Sequence, residues 1–90
     1  MSINGQEKNN ITVLKRVDKL QAWIKTATPG ERVIYYEGYL AKDLQSNNSN
    51  IRQRARAIQE LTYHNNKKRN ITLVQKKHYD FNYNYIAIRI

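Results

Sequence analysis

The apolar residues fall into groups with different spacings, separated by polar stretches. Val13, Val17, Leu20, Ile24 and Ala27 recur at alternating steps of four and three. That is one stripe of an amphipathic helix, widened by Leu14 and Trp23. The spacing predicts a helix from about residue 10 to residue 27, with Asn9 or Asn10 able to cap its first turn. Trp23, beside the stripe, is expected in the core against Ile58 and a strand carrying Ile86 and Ile88. Thr28-Pro29-Gly30 is a turn signal that ends the helix. Thr28-x-x-Glu31 has the form of a capping box. The β-branched and aromatic run Val33-Ile34-Tyr35-Tyr36 predicts a strand.

Gly38 interrupts that strand, and residues 39–44 can form a short helix. Residues 45–50 make a polar connector, in which Ser49 or Asn50 can cap the next helix. This second long helix is predicted from about residue 51 to residue 65. Ile51, Ala55, Ile58 and Thr62 fall together on its wheel, with Leu61 beside them, and define its core face. Asn65-Asn66-Lys67-Lys68-Arg69-Asn70 reads as a basic turn. Residues 71–77 then read as a strand, and Ile86, Ile88 and Ile90 alternate with Tyr85, Ala87 and Arg89 in another. Residues 78–82 between them form a hairpin tip. Tyr35, Tyr36, Tyr39, Tyr83 and Tyr85 are expected as core or half-core residues with wet hydroxyls. Tyr79 and Phe81 sit at the tip, where an aromatic ring packs on its own hairpin or stacks on an unpaired base.

Residues 1–9 are polar and without periodicity, which predicts a loose arm ahead of a single domain at 10–90. The order of helix, short strand, short helix, helix and β-hairpin is that of an α+β, winged-helix-like fold. A small sheet with two helices on one face is the alternative.

Size and composition narrow the chemistry. Ninety residues form one domain with one small core. Without cysteine there is no disulfide framework, no cysteine-bound zinc and no thiol nucleophile. No apolar run approaches the ~20 residues that cross a bilayer, and the first residues lack an apolar signal core. A cytoplasmic protein is expected, in the host cell if the chain is viral. The Asn-x-Ser/Thr matches at Asn10, Asn47 and Asn70 are then read as chance.

Charge changes the picture more. The net charge is +9. Residues 1–45 carry seven basic and five acidic residues, whereas residues 46–90 carry nine and two, a net of +7. So positive a half attracts polyanions at long range, and nucleic acid is the commonest such partner. Within it, Arg52, Arg56, Gln59 and Tyr63 recur at i, i+4, i+7 and i+11, opposite the core face of the second helix. Arg54 falls on the apolar margin, where its stem can be buried. Arginine pairs bidentately with guanine, and glutamine with adenine. In a helix-turn-helix this helix enters the major groove. Lys67, Lys68 and Arg69 come directly after it, and Lys76, Lys77 and His78 lie near the wing; both sets suit phosphate oxygens.

The scattered carboxylates, two isolated histidines and three distant glycines make no catalytic, metal or phosphate-loop constellation. Neither an enzyme nor a cofactor is expected. The expected partner is duplex DNA. A host protein such as RNA polymerase, single-stranded nucleic acid or RNA is the alternative, and the first helix could pair two copies into a homodimer.

One resemblance is local. Pro29-Gly30-Glu31-Arg32-Val33-Ile34-Tyr35-Tyr36-x-Gly38-x-Leu40-Ala41 precedes a basic helix and then Ile71-x-Leu73-Val74-Gln75-Lys76. This resembles small bacteriophage-encoded proteins of unassigned role, which carry a Gly-Asp/Glu-x-apolar-x-Tyr-x-x-Gly-x-Leu-Ala segment before a helix and a closing hairpin. Tyr36 stands where those proteins often have His. The resemblance spans about residues 29–90 and implies a phage origin and a winged-helix-like domain, without a defined activity. A small phage transcriptional regulator is the function expected from charge, stripe and resemblance together.

Overall fold

The structure is a computed structural model and describes residues 11–80 and 82–90. The expected arm at 1–9 and the tip residue Phe81 lie outside the described residues, as does the side chain of Tyr79. The fold is a small α+β domain. Its elements are β1 (Thr12–Val13), α1 (Val17–Thr26), β2 (Arg32–Gly38), α2 (Leu40–Asp43), α3 (Ser49–Lys67), β3 (Ile71–Tyr79) and β4 (Asn82–Arg89).

The strands form one mixed sheet in the order β1–β2–β4–β3. β1 runs parallel to β2, and the other neighbours are antiparallel. The expected start of the first helix is therefore corrected. Thr12 and Val13 pair with Val33 and Ile34, and Arg16 is still extended when α1 begins at Val17. A short β-branched run, Ile11-Thr12-Val13, gains ladder hydrogen bonds beside β2, which outweighs its place in a helical stripe. Leu20 and Ile24 keep the buried positions that the stripe assigned.

The turn at 28–31 follows from its residues. Pro29 supplies the first central residue, Gly30 takes a φ of 96°, and the Glu31 N–H closes on the Thr28 carbonyl at 3.1 Å. Glu31 also reaches back to accept from the Thr28 N–H at 3.2 Å. Only the Glu31 half of the capping box forms, and it opens a strand and not a helix.

A bulge in β2 shapes the core. Ile34 pairs with Ile86 and Tyr36 with Tyr85, which leaves Tyr35 as an extra residue. The bulge puts both Tyr35 and Tyr36 into the core cluster with Val33, Tyr85 and Ala87, against Leu20, Ile24, Ala55 and Ile58. Tyr85 packs edge-on against Tyr36, with ring centroids 5.9 Å apart. Its hydroxyl accepts the Leu40 N–H at 3.0 Å, satisfying an orphan donor of α2. The Tyr36 hydroxyl donates to Asp43. Burial holds all three phenols protonated: Tyr35 is pushed up to about 12, and Tyr36 and Tyr85 also rise.

Three core expectations are revised. Ile51 is 42% exposed, because α3 starts two residues earlier than expected and Ile51 lies in its first turn. Asn65, expected to begin a turn, is buried in the last turn of α3, its amide donating to the Leu61 carbonyl at 2.9 Å. Trp23 packs against the core cluster that contains Ile58, as expected, but is only half-buried, beside Thr12, Glu31, Arg32 and Val33. It does not meet Ile86, which lines the other sheet face with Ile34 and Val74; strand alternation sends Ala87, and not Ile86, toward the helices.

Candidate nucleic-acid interface

α3 carries most of the candidate residues, and its ends are firmly set. The cap is Asn48, whose side-chain oxygen accepts from the N–H groups of Asn50 at 2.9 Å and Ile51 at 3.3 Å. The helix continues through Lys67, two residues beyond expectation. It closes with a Schellman arrangement: the Asn70 N–H bonds the Asn65 carbonyl and the Arg69 N–H bonds the Asn66 carbonyl, at 2.9 and 3.0 Å. Arg69 occupies the left-handed position of this motif, with a φ of 64°. Glycine is the ordinary residue there, and a side chain costs about 1–2 kcal/mol in that conformation.

Three asparagines fix the hairpin to this helix end. Asn70 donates to the Asn65 side chain at 2.8 Å, and Asn66 donates to the Ile71 carbonyl at 2.9 Å. Arg89 of β4 donates to the Asn70 carbonyl at 3.0 Å. The segment expected as a basic turn is therefore a clamp that sets the position of β3 relative to α3. Lys67, Lys68 and Arg69 project from it as exposed residues.

The predicted stripe divides. Arg56 and Tyr63 are exposed, Tyr63 by 59%, and Gln59 is half-buried between them. Arg52 is also half-buried and one of its guanidinium nitrogens donates to the Ser46 carbonyl at 2.7 Å, so it braces the connector ahead of α3. Arg54 does similar work elsewhere. It grips the Lys15 carbonyl with two donors at 3.1 and 2.7 Å and lies 5.3 Å from the centre of the Tyr36 ring. Both arginines share a signal that the sequence carries only weakly: a long donor near a polar connector or a buried ring.

Lys76 and Lys77 are on β3, within the strand expected at residues 71–77. Strand alternation separates them. Lys77 shares the helix-side face with Leu73 and Gln75, and pairs with Asp80 at 3.2 Å. Lys76 points to the other face, where Arg32, Ile34, Val74, His78, Asn84 and Ile86 share a groove of about 520 Å³ with it. The pair is therefore divided between the two faces of the sheet. Between α3 and β3, Tyr63, Leu73, Gln75 and Tyr85 border a hollow of about 160 Å³. Arg56, Gln59, Tyr63, Lys67, Lys68, Arg69 and Lys77 thus belong to the α3 side of the molecule, while Arg52 serves mainly to position it.

Among the described residues no cluster of His, Asp or Glu could hold a metal ion, and no helix is long and apolar enough to cross a membrane. No protein-family model matches the chain, and no curated protein or solved structure is significantly similar to it.

Proposed function

We propose that the protein is a DNA-binding module of winged-helix type that seats α3 in the major groove and lays the β3–β4 hairpin beside it as a wing. The observation that carries this reading is the stripe of exposed Arg56 and Tyr63, with half-buried Gln59 between them, on a capped helix whose C-terminal end bears Lys67, Lys68 and Arg69. The element order and the antiparallel β2–β4–β3 core of the sheet support the same reading. Arg69 adds to it. A non-glycine residue kept in a left-handed position suits a site where a charge is worth its strain.

In this arrangement Arg56 and Gln59 face base edges, where Arg reads guanine and Gln reads adenine. The helix-end cations and Lys77 meet phosphates. Arg52 holds the start of α3 through Ser46. A role as a small phage transcriptional regulator belongs to the same proposal and draws on the resemblance of residues 29–90.

Titration with duplex DNA, single-stranded DNA and RNA at two salt concentrations tests the reading. Engagement of about five cations predicts a log–log salt slope of roughly −4 to −5 on duplex. Tighter binding to single strands or RNA transfers the site to that partner. Absence of duplex binding at low salt removes the proposal.

A further inference from the structure

We propose that the free edge of β3 takes up an extended acidic peptide segment by strand addition, with one apolar side chain of the peptide seated in the hollow beside Tyr63. β3 is the outer strand of the sheet, bonded only to β4 among the described residues. The hydrogen-bond phase is fixed at its start. The Ile90 N–H bonds the Asn70 carbonyl, so Asn70, Thr72 and Val74 turn their backbone groups toward β4. Ile71, Leu73 and Gln75 turn theirs outward. Asn66 satisfies the Ile71 carbonyl. Among the described residues the N–H and C=O of Leu73 and Gln75 remain as an open row, which is the template that strand addition uses.

The hollow lies beside this row. It is lined by Leu73, Val74 and Gln75 of β3, by Tyr63 of α3, and by Tyr35, Leu40 and Tyr85. Its volume of about 160 Å³ matches one medium apolar side chain, since a ~150 Å³ cavity holds a benzene ring. Strand addition supplies affinity through the backbone and selectivity through such a pocket.

Charge selects the occupant. Lys76 and Lys77 stand along the edge, and Lys67, Lys68 and Arg69 stand at its start. Glu60 and Asp80 are the only acidic residues in this half, and Asp80 is engaged by Lys77. A second copy pairing antiparallel through the same edge would bring these cations together, and lysine on an edge strand works against such pairing. An acidic segment meets complementary charge over the same length. The inference shares Tyr63, Lys67, Lys68, Arg69 and Lys77 with the DNA reading, but its ligand and its readout involve no nucleic acid, so either reading can fail without the other.

The test uses the full chain and an acetylated, amidated peptide, Asp-Glu-Val-Leu-Val-Glu-Asp. Amide shift mapping should place the peptide at Leu73 and Gln75. N-methylation of the peptide backbone at alternate residues should weaken binding about tenfold or more, by removing the hydrogen bonds to the edge. Gln75→Pro provides the protein-side control. It deletes an outward N–H without touching the β4 ladder, a placement that edge strands tolerate, and should produce a similar loss. If that variant fails to fold, the N-methylated peptide alone decides. Equal binding by polyglutamate of the same charge, insensitivity to N-methylation, or self-association of the free protein through β3 would each overturn the proposal.

Discussion

The two ends of the β3–β4 hairpin are built from the same pair of strands and serve different purposes. At the start, Ile71 and Ala87 are fully buried, and the residues around them are tied to α3 by Asn66, Asn70 and Arg89. Toward the tip the same ladder continues through Lys76–Asn84 and Lys77–Tyr83, but the lysines are exposed. No residue at 74–78 or 82–84 is fully buried, so burial of apolar surface contributes less there. Stability belongs to the proximal end, and the distal end is free to carry charge. The same contrast runs along α3: one face holds Ala55, Ile58, Thr62 and Asn65 in the core, and the other displays Arg56 and Tyr63.

The largest effect expected from this contrast is on the buried side. Ile58 is completely buried, so Ile58→Ala should cost about 2–5 kcal/mol of stability in denaturant titration. Trp23→Ala, at a half-exposed site, should cost less than the ~3–5 kcal/mol of a full aromatic truncation. Alkaline pH tests the same core without mutation. The Tyr35 phenol titrates near 12 in the folded protein, above its ordinary value near 10. Its contribution is complete below about pH 10 and is lost as pH rises through about 12, because the unfolded chain ionises first. Phenolate absorbance and circular dichroism should therefore show buried-tyrosine ionisation coinciding with unfolding in that window. Free titration of all tyrosines near pH 10 in a folded protein would break the comparison.

On the exposed side, Arg56→Ala should leave stability within about 0.5 kcal/mol. It should lose roughly 1–3 kcal/mol of affinity on a duplex selected from a random pool, and much less on unselected duplex. Arg69→Gly separates stability from binding at one position. Relief of the left-handed strain should raise stability by about 1 kcal/mol, while loss of the charge weakens duplex binding. The smallest effect is the most specific. Lys77→Ala should flatten the salt slope by about one unit, and Lys76→Ala, on the other face, should change it less.

The long periodic segments are legible in the sequence, and short or context-dependent choices are not. Leu20 and Ile24 on α1, Ala55 and Ile58 on α3, and the alternating strand at 85–89 emerge from spacing alone. Val13 fits the helical spacing too, yet only pairing with β2 shows it and Thr12 to be a strand. The bulge at Tyr35 inverts the face of Tyr36, and no local residue signals it. The charged stripe is legible as a stripe, but the bond from Arg52 to Ser46 depends on how the connector folds back. Lys76 and Lys77 read as one basic set by adjacency, although the strand expected at 71–77 already implies that alternation parts them.

Amide shift mapping of the protein with an unselected duplex at low salt tests the central claim most directly. The largest changes are expected along one side of the molecule, at Arg56, Gln59, Tyr63, Lys67, Lys68, Arg69 and Lys77. Changes confined to Arg32, Lys76 and Asn84 on the opposite sheet face, or no change at all, would contradict a DNA-binding α3 side.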